Sequence, residues 1–101
     1  MADFTREEVY EIAETSGKLV RADLAGLDLS CSNYDPDPPS LAGINLSGAY
    51  LRGAHLRYVN LTGADLAETN LIEGNLFGVD LRAANLSKAD LSGAVCLANT
   101  V

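Results

Sequence analysis

The sequence predicts an all-β solenoid, in which short straight segments wind in stacked coils around a narrow apolar core. Leucine recurs at every fifth position from Leu41 to Leu91. From Leu46 onward, the residue two positions earlier is small or β-branched, and the residue one position earlier is Asn or Asp in eight of ten repeats. A five-residue period scatters leucines around an α-helix and alternates them across a flat strand. Only a chain that turns a corner in every repeat can therefore bury all of them.

The repeats GADLA, AANLS and KADLS match the consensus A(D/N)LXX, and on these motifs the sequence resembles the pentapeptide-repeat family over about residues 17–98. The resemblance implies a right-handed quadrilateral parallel β-helix with four repeats in each coil of about 20 residues. Segments of neighbouring coils would pair like parallel strands, about 4.8 Å apart. We expect the leucine and the small residue to point inward and the other three positions to face solvent.

Residues 1–16 are predicted to form a short helix that caps the first coil. Thr5 is the expected N-cap, Glu8 completes a capping box, and Gly17 ends the helix. An apolar stripe is formed by Val9, Ile12 and Ala13. Because a solenoid exposes its core at each end, we expect this helix to cover the first coil.

Residues 17–101 are assigned to the β-helix itself. Four early repeats are in phase, with centres at Leu19, Leu24, Leu29 and Tyr34. Twelve further centres run from Leu41 to Cys96. The sixteen centres together predict about four coils.

A proline loop at 35–40 interrupts the repeats. Leu41 comes seven positions after Tyr34, two more than one repeat, so the sequence predicts a two-residue insertion. Proline cannot donate hydrogen bonds to a ladder and suits an exposed loop. In this register Asp23 stacks on Asn45, and no acidic residue lies beside His55.

The charge balance excludes several classes of function. Fourteen acidic and seven basic residues give a net charge of −7, which disfavours binding to nucleic acid or to anionic lipid. The chain contains no apolar run of about 18 residues and does not begin like a signal peptide. We therefore predict a cytoplasmic protein with neither nucleic acid nor membrane as a partner.

No catalytic, cofactor or metal site is predicted. His55, Arg57 and Tyr58 cluster in one repeat, but the chain has no second histidine. Asp35 and Asp37 offer too few oxygen ligands for Ca²⁺. The Asn and Asp series is interpreted as a structural element of the coil, so we expect a protein that is not an enzyme.

A candidate partner-binding surface is indicated by apolar side chains at positions predicted to face outward. Tyr50 and Ile72 fall on one predicted face. The remaining apolar residues fall on the next face, together with Arg57. The set is Tyr50, Arg57, Tyr58, Ile72, Phe77, Val95 and Leu97. Aromatic residues and arginine are enriched in protein interfaces. The alternative is that these are scattered surface hydrophobes, which are normal on soluble proteins.

Two functions are consistent with these observations. We predict a non-catalytic interaction or structural module that binds an unidentified protein, or itself, through the faces carrying Ile72 and Phe77 or through an uncapped C-terminal coil. The family resemblance implies an alternative, because some pentapeptide-repeat proteins modulate DNA gyrase by imitating duplex DNA. Residues 1–40 carry a net charge of −6 and residues 41–101 only −1, whereas such a mimic needs negative charge along the whole rod.

Overall fold

A computed structural model describes residues 3–95, in which one α-helix is followed by a stack of parallel bridges. Helix α1 spans Arg6–Glu14. Ten isolated parallel bridges connect successive coils, because each straight segment is interrupted by a corner before a longer strand can form. These stacked parallel coils are the solenoid that the five-residue period predicts. No helix within residues 3–95 is long and apolar enough to cross a bilayer.

The leucines and small residues fill the interior as the pattern predicts. Every leucine centre from Leu24 to Leu76 is at most 1% exposed, and Ala49, Ala54 and Val59 are fully buried between them. The last described coil differs, since its leucines are only partly buried. A large and a small residue thus alternate around a core too narrow for two large side chains per repeat.

The Asn or Asp before each centre holds the following corner. In ten repeats its Oδ1 atom accepts a hydrogen bond of 3.0 to 3.1 Å from the backbone N–H two residues later. Asn70, for example, accepts from the Ile72 N–H. This confirms the structural interpretation of the Asn and Asp series. The residue two positions after the centre usually has a positive φ, as at Gly63 (67°) and at Ala83 (61°) one coil later.

The register across the proline loop differs from the prediction. Asp23 pairs with Tyr50 and Asp28 pairs with His55, an offset of 27 residues, whereas later coils pair at an offset of 20. Tyr34 is 92% exposed and is not a centre, and the fully buried Leu41 follows Leu29 as the next one. The predicted two-residue insertion is therefore wrong, and the insertion is seven residues long.

The inserted residues are 32–38. The prediction of a shorter insertion was wrong because Tyr34 was counted as a repeat centre. Tyr34 falls on the five-residue count by coincidence, but the core is packed with leucine and does not take its ring. Pro39 occupies the small position before Leu41, and the Ser40 Oγ accepts from the Ala42 N–H at 3.0 Å, as an Asn would. The regular repeat therefore resumes at Pro39.

Helix α1 begins with the predicted capping box. The Glu8 N–H donates to the Thr5 Oγ1 at 3.2 Å, and the Thr5 N–H donates to the Glu8 Oε1 at 2.9 Å. Val9 is fully buried in the common core, and Phe4, Ile12 and Ala13 pack against it. Ahead of the helix, the Asp3 N–H donates to the carbonyl of Asp23 at 2.9 Å.

Tyr10 connects the helix to the root of the loop. In a regular corner the carbonyl of the leucine centre accepts from the N–H three residues later, as Leu19 does from Ala22 at 3.1 Å. At Leu29 the chain leaves the coil, and the residue that resumes the repeat is a proline, which has no N–H. The Tyr10 hydroxyl donates to the Leu29 carbonyl at 2.6 Å instead. It also lies 3.3 Å from the buried Cys31 Sγ, so helix, first coil and loop root form one packed unit.

Candidate protein-interaction surface

Most of the predicted surface residues lie around one side of the solenoid. We call this the Leu56 side, after the buried leucine at its centre. Ile72 lies at the corner where this side begins and Phe77 at the corner where it ends. Val95, 41% exposed, pairs with Asn75 in the middle of the same side. The structure therefore places these three residues on or beside the same side of the solenoid.

The corner after the Leu56 side carries two aromatic rings in contact. The rings of Tyr58 and Phe77 meet edge to face, with centroids 5.5 Å apart and planes at 83°. The Tyr58 ring also lies over Gly78, where a Cβ atom would be 2.6 Å from it. The exposed Arg57 precedes Tyr58, whose N–H donates to the Phe77 carbonyl at 2.9 Å. We refer to Arg57, Tyr58 and Phe77 as the aromatic corner.

Two of the predicted residues are not part of this surface. Tyr50 lies on the preceding side of the coil, is 55% exposed, and lines a cleft together with Val20. Leu97, like Cys96, lies outside the described residues. The predicted surface is thus divided, and only its larger part surrounds the Leu56 side.

The corrected register places an acidic residue beside His55, contrary to the prediction. Asp28 on the first coil pairs directly with His55 on the second. The pKa of the Asp28 carboxyl is lowered mainly by the hydrogen bond from the Ser30 N–H, with smaller contributions from His55 and Arg57. The Ser30 Oγ in turn accepts from the Arg57 N–H at 3.0 Å, because His55 stands where Asn or Asp usually accepts. These contacts connect two coils across the side and define no substrate pocket.

Metal-ligating side chains do not converge anywhere in residues 3–95. In the loop, the Asp35 Oδ1 accepts from the Asp37 N–H at 3.0 Å, which is a local turn contact. Cys31 is a free, buried thiol at the loop root, 3.6 Å from the carbonyl oxygen of Pro39. Its position is that of a packing residue.

Comparison with known proteins identifies the repeat. The family model for pentapeptide repeats matches eight copies, over residues 44–82 and 74–95. The chain belongs to the pentapeptide-repeat family. Pentapeptide-repeat proteins form right-handed quadrilateral β-helices, and the parallel coils described above have this architecture. Comparison with curated protein sequences gave no significant match.

Solved pentapeptide-repeat structures resemble the chain to different degrees. The protein alr5209 from Nostoc PCC 7120 is 31% identical with a TM-score of 0.54, and the match covers 89% of this chain and 74% of that one. Rfr23 from the cyanobacterium Cyanothece 51142 is 22% identical with a TM-score of 0.48, over 94% and 97% of the two chains. HetL from Nostoc sp. strain PCC 7120, involved in heterocyst differentiation regulation, is 26% identical with a TM-score of 0.45, over 78% and 46%.

Sequence reasoning missed the cleft beside Tyr50 and the role of Tyr10. The cleft had one signal in the sequence, since Tyr50 stands at a pentapeptide position that is Asn or Asp in most repeats. Its other residues come from three coils, and the wrong register across the loop kept them apart. The role of Tyr10 had no signal in the sequence. Its partner, the Leu29 carbonyl, lacks a backbone donor within residues 3–95 because the insertion begins after Cys31, and the sequence did not reveal where the insertion begins.

Proposed function

We propose that the protein is a non-catalytic interaction module that binds a partner protein, or a second copy of itself, through the Leu56 side and its aromatic corner. The observation that carries this proposal is the contact between Tyr58 and Phe77 on the outside of the solenoid. Aromatic residues beside an arginine form the energetic centre of many protein interfaces. Ile72 and Val95 extend the apolar surface across the same side.

The backbone at Tyr58 supports a role beyond packing. Tyr58 has a φ of 59°, at a corner position where seven other repeats of the chain have glycine. A bulky residue in this conformation costs about 1 kcal/mol or more. The contact with Phe77 offsets part of that cost, yet both rings remain only partly buried. Part of the Tyr58 ring is therefore accessible to a partner, which supports a role in binding.

The experiment compares the wild type with a double variant, Ile72→Asp and Phe77→Asp. A charge-matched control carries Ala42→Asp and Ser87→Asp, at two exposed positions away from the Leu56 side. Light scattering gives the mass of each protein, and affinity capture from lysate of the source organism gives its partners. We expect the double variant alone to lose a partner or a self-association. If it stays folded and keeps every partner and the wild-type mass, the proposal is wrong.

We also propose that helix α1 caps the first of about four coils. Two contacts support this role. Val9 of the helix is fully buried in the core, and the Asp3 N–H, just before the helix, donates to the Asp23 carbonyl of the first coil. With that end covered, further association along the axis would use the opposite coil, where Leu86 and Leu91 are only partly buried. This end is a second route to self-association.

DNA mimicry at gyrase is the competing function. Along each column of outward Asn and Asp positions, no two acidic residues occupy neighbouring coils within residues 18–95. That arrangement favours an interaction module over an imitation of two continuous phosphate strands. A supercoiling assay discriminates between them, since only a mimic should inhibit or protect gyrase. We expect no effect there, and a cytoplasmic location stays a prediction for imaging of the tagged protein.

A further inference from the structure

A cleft lies at a different corner of the solenoid. It has a volume of about 250 Å³ and is lined by Val20, Arg21, Ser47, Gly48, Tyr50 and Glu68. Val20 is 48% exposed and Tyr50 is 55% exposed, so two apolar side chains stand in an otherwise polar lining. The lining comes from three successive coils, and the Leu56 side is not part of it.

Gly48 lines this cleft between two charged residues. It lies between Arg21 on the first coil and Glu68 on the third, because the ladder hydrogen bonds run from Arg21 to Ser47 and from Gly48 to Ala67. A Cβ atom at Gly48 would be 3.1 Å from the Arg21 Cγ, so the arginine side chain leans over the glycine. A larger residue at this position would displace that side chain and fill the cleft.

Tyr50 forms one wall at the expense of a repeat hydrogen bond. At ten other repeats an Asn or Asp accepts from the N–H two residues later, but the tyrosine leaves the Arg52 N–H without that acceptor. At His55 the equivalent loss is compensated by Ser30, whereas at Tyr50 no side chain of the described residues replaces it. Residues that break a local rule without a structural gain are typical of functional sites.

One positively and one negatively charged side chain line the cleft, namely Arg21 and Glu68. The backbones of Arg21 and Glu68 lie two coils apart, about 10 Å along the axis at the usual strand spacing. The Arg21 side chain spans part of this distance, because it lies over Gly48. The two ion pairs found in residues 3–95 involve neither of them. The cleft therefore presents one cation and one anion beside the exposed Val20 and Tyr50 side chains. A guanidinium group pairs well with a carboxylate, and the carboxylate of Glu68 pairs with an ammonium.

We propose that this cleft binds a zwitterion whose carboxylate and ammonium are separated by an aliphatic chain. Arg21 holds the carboxylate, Glu68 holds the ammonium, and the chain packs on Tyr50 and Val20. Two sources share this chemistry, namely a free ω-amino acid and the C-terminal lysine of a partner protein. The site is independent of the interaction surface proposed above.

The probe for the experiment is 6-aminohexanoate, titrated into the ¹⁵N-labelled full chain and followed by amide chemical shifts. We expect shifts confined to the amides of Ser47, Gly48, Tyr50 and their neighbours, and a Kd at least tenfold lower than for hexanoate or hexylamine. Each of these comparison ligands carries one charge and can pair with only one of the two charged side chains. Raising the salt concentration should weaken binding, because both contacts are ionic and solvent-exposed.

The decisive variant is Tyr50→Asn, which restores the repeat consensus. It should keep or raise the stability of the fold, because Asn can accept from the Arg52 N–H, while weakening 6-aminohexanoate at least tenfold. Arg21→Gln and Glu68→Gln should each weaken it at least fivefold. Glu73→Gln and Arg82→Gln, which remove the same charges from other corners, should leave the Kd unchanged. These four charge variants keep the test valid even if Tyr50→Asn folds poorly.

A tripeptide ending in lysine, with its N-terminus acetylated, distinguishes the two sources. Tighter binding of the free-acid peptide than of 6-aminohexanoate assigns the cleft to a protein C-terminus, and the reverse order assigns it to a small metabolite. The amidated peptide lacks the carboxylate and should bind at least tenfold more weakly than the free acid. The proposal is overturned if 20 mM 6-aminohexanoate shifts no cleft amide, or if Tyr50→Asn, Arg21→Gln and Glu68→Gln all bind like the wild type.

Discussion

The corner glycines allow a test of what holds the coils together. Gly63 and Ala83 occupy the same corner one coil apart, with φ of 67° and 61°, so one position has the residue suited to this conformation and the other does not. A Cβ atom at Gly63 would have no heavy atom within 4 Å. Gly63→Ala therefore changes backbone conformational energy and leaves packing unaltered.

The expected magnitude follows from two opposing terms. A left-handed conformation costs a non-glycine residue about 1–2 kcal/mol, while replacing glycine removes about 0.4–1 kcal/mol of unfolded-chain entropy. Gly63→Ala should therefore lower the free energy of unfolding by about 0.5–1 kcal/mol, and Ala83→Gly should raise it by a similar amount. Urea unfolding followed by circular dichroism measures both.

The control separates backbone conformation from a general effect of glycine. Ala42 is exposed and does not have a positive φ. Ala42→Gly should therefore lower the free energy of unfolding by about 0.4–1 kcal/mol through the unfolded chain. The reasoning is refuted if Ala83→Gly destabilises the protein as Ala42→Gly does, or if Gly63→Ala leaves the unfolding curve unchanged.

Three further predictions concern the helix, the carboxylates and the loop. Tyr10→Phe should lower the free energy of unfolding by about 1–3 kcal/mol, because it leaves the buried Leu29 carbonyl unpaired, whereas Tyr34→Phe at an exposed site should have no effect in the same urea titration. The hydroxyl and N–H of Ser92 lower the pKa of Asp90, so its contribution to stability is present at neutral pH and is lost as the pH falls through that lowered value. Asp90→Asn keeps the acceptor without the charge, and its urea midpoint should fall less than that of the wild type between about pH 5 and pH 3; an equal fall would contradict this assignment. Deleting residues 32–38 together with Cys31→Gly and Pro39→Ala produces the regular corner LSGASL. This variant should keep the wild-type circular dichroism spectrum. Loss of the β-helix signal would show that the insertion is required for folding.

Much of the fold could be predicted from the sequence because every repeat solves the same packing problem. The period of the leucines fixed the inward positions, and the capping box at Thr5 and Glu8 fixed the start of the helix. The register across the loop could not be predicted in this way. Tyr34 satisfied the five-residue spacing of a repeat centre. Only the narrow core and the missing N–H of Pro39 exclude Tyr34 from that role. Counting residues cannot detect either.

The candidate surface was predicted in part for a related reason. Phe77 and Ile72 lie beyond the loop, where the regular offset of 20 residues holds, so their grouping around one side could be drawn from the sequence. The cleft beside Tyr50 needs residues from both sides of the insertion. An error of five residues in the offset was enough to separate Arg21 and Val20 from their neighbours.

The inserted loop begins and ends at a single corner, and this has a practical consequence. The Cys31 Sγ and the Pro39 carbonyl oxygen lie 3.6 Å apart, although seven extra residues separate the two halves of the repeat. Parallel bridges continue from coil to coil on both sides of the loop, so the solenoid accommodates the seven-residue insertion at this corner. Since the entropy of closing a loop grows only slowly with its length, longer foreign peptides could be grafted between residues 32 and 38. The molecule would then serve as a scaffold that displays a grafted peptide from one corner of its first coil.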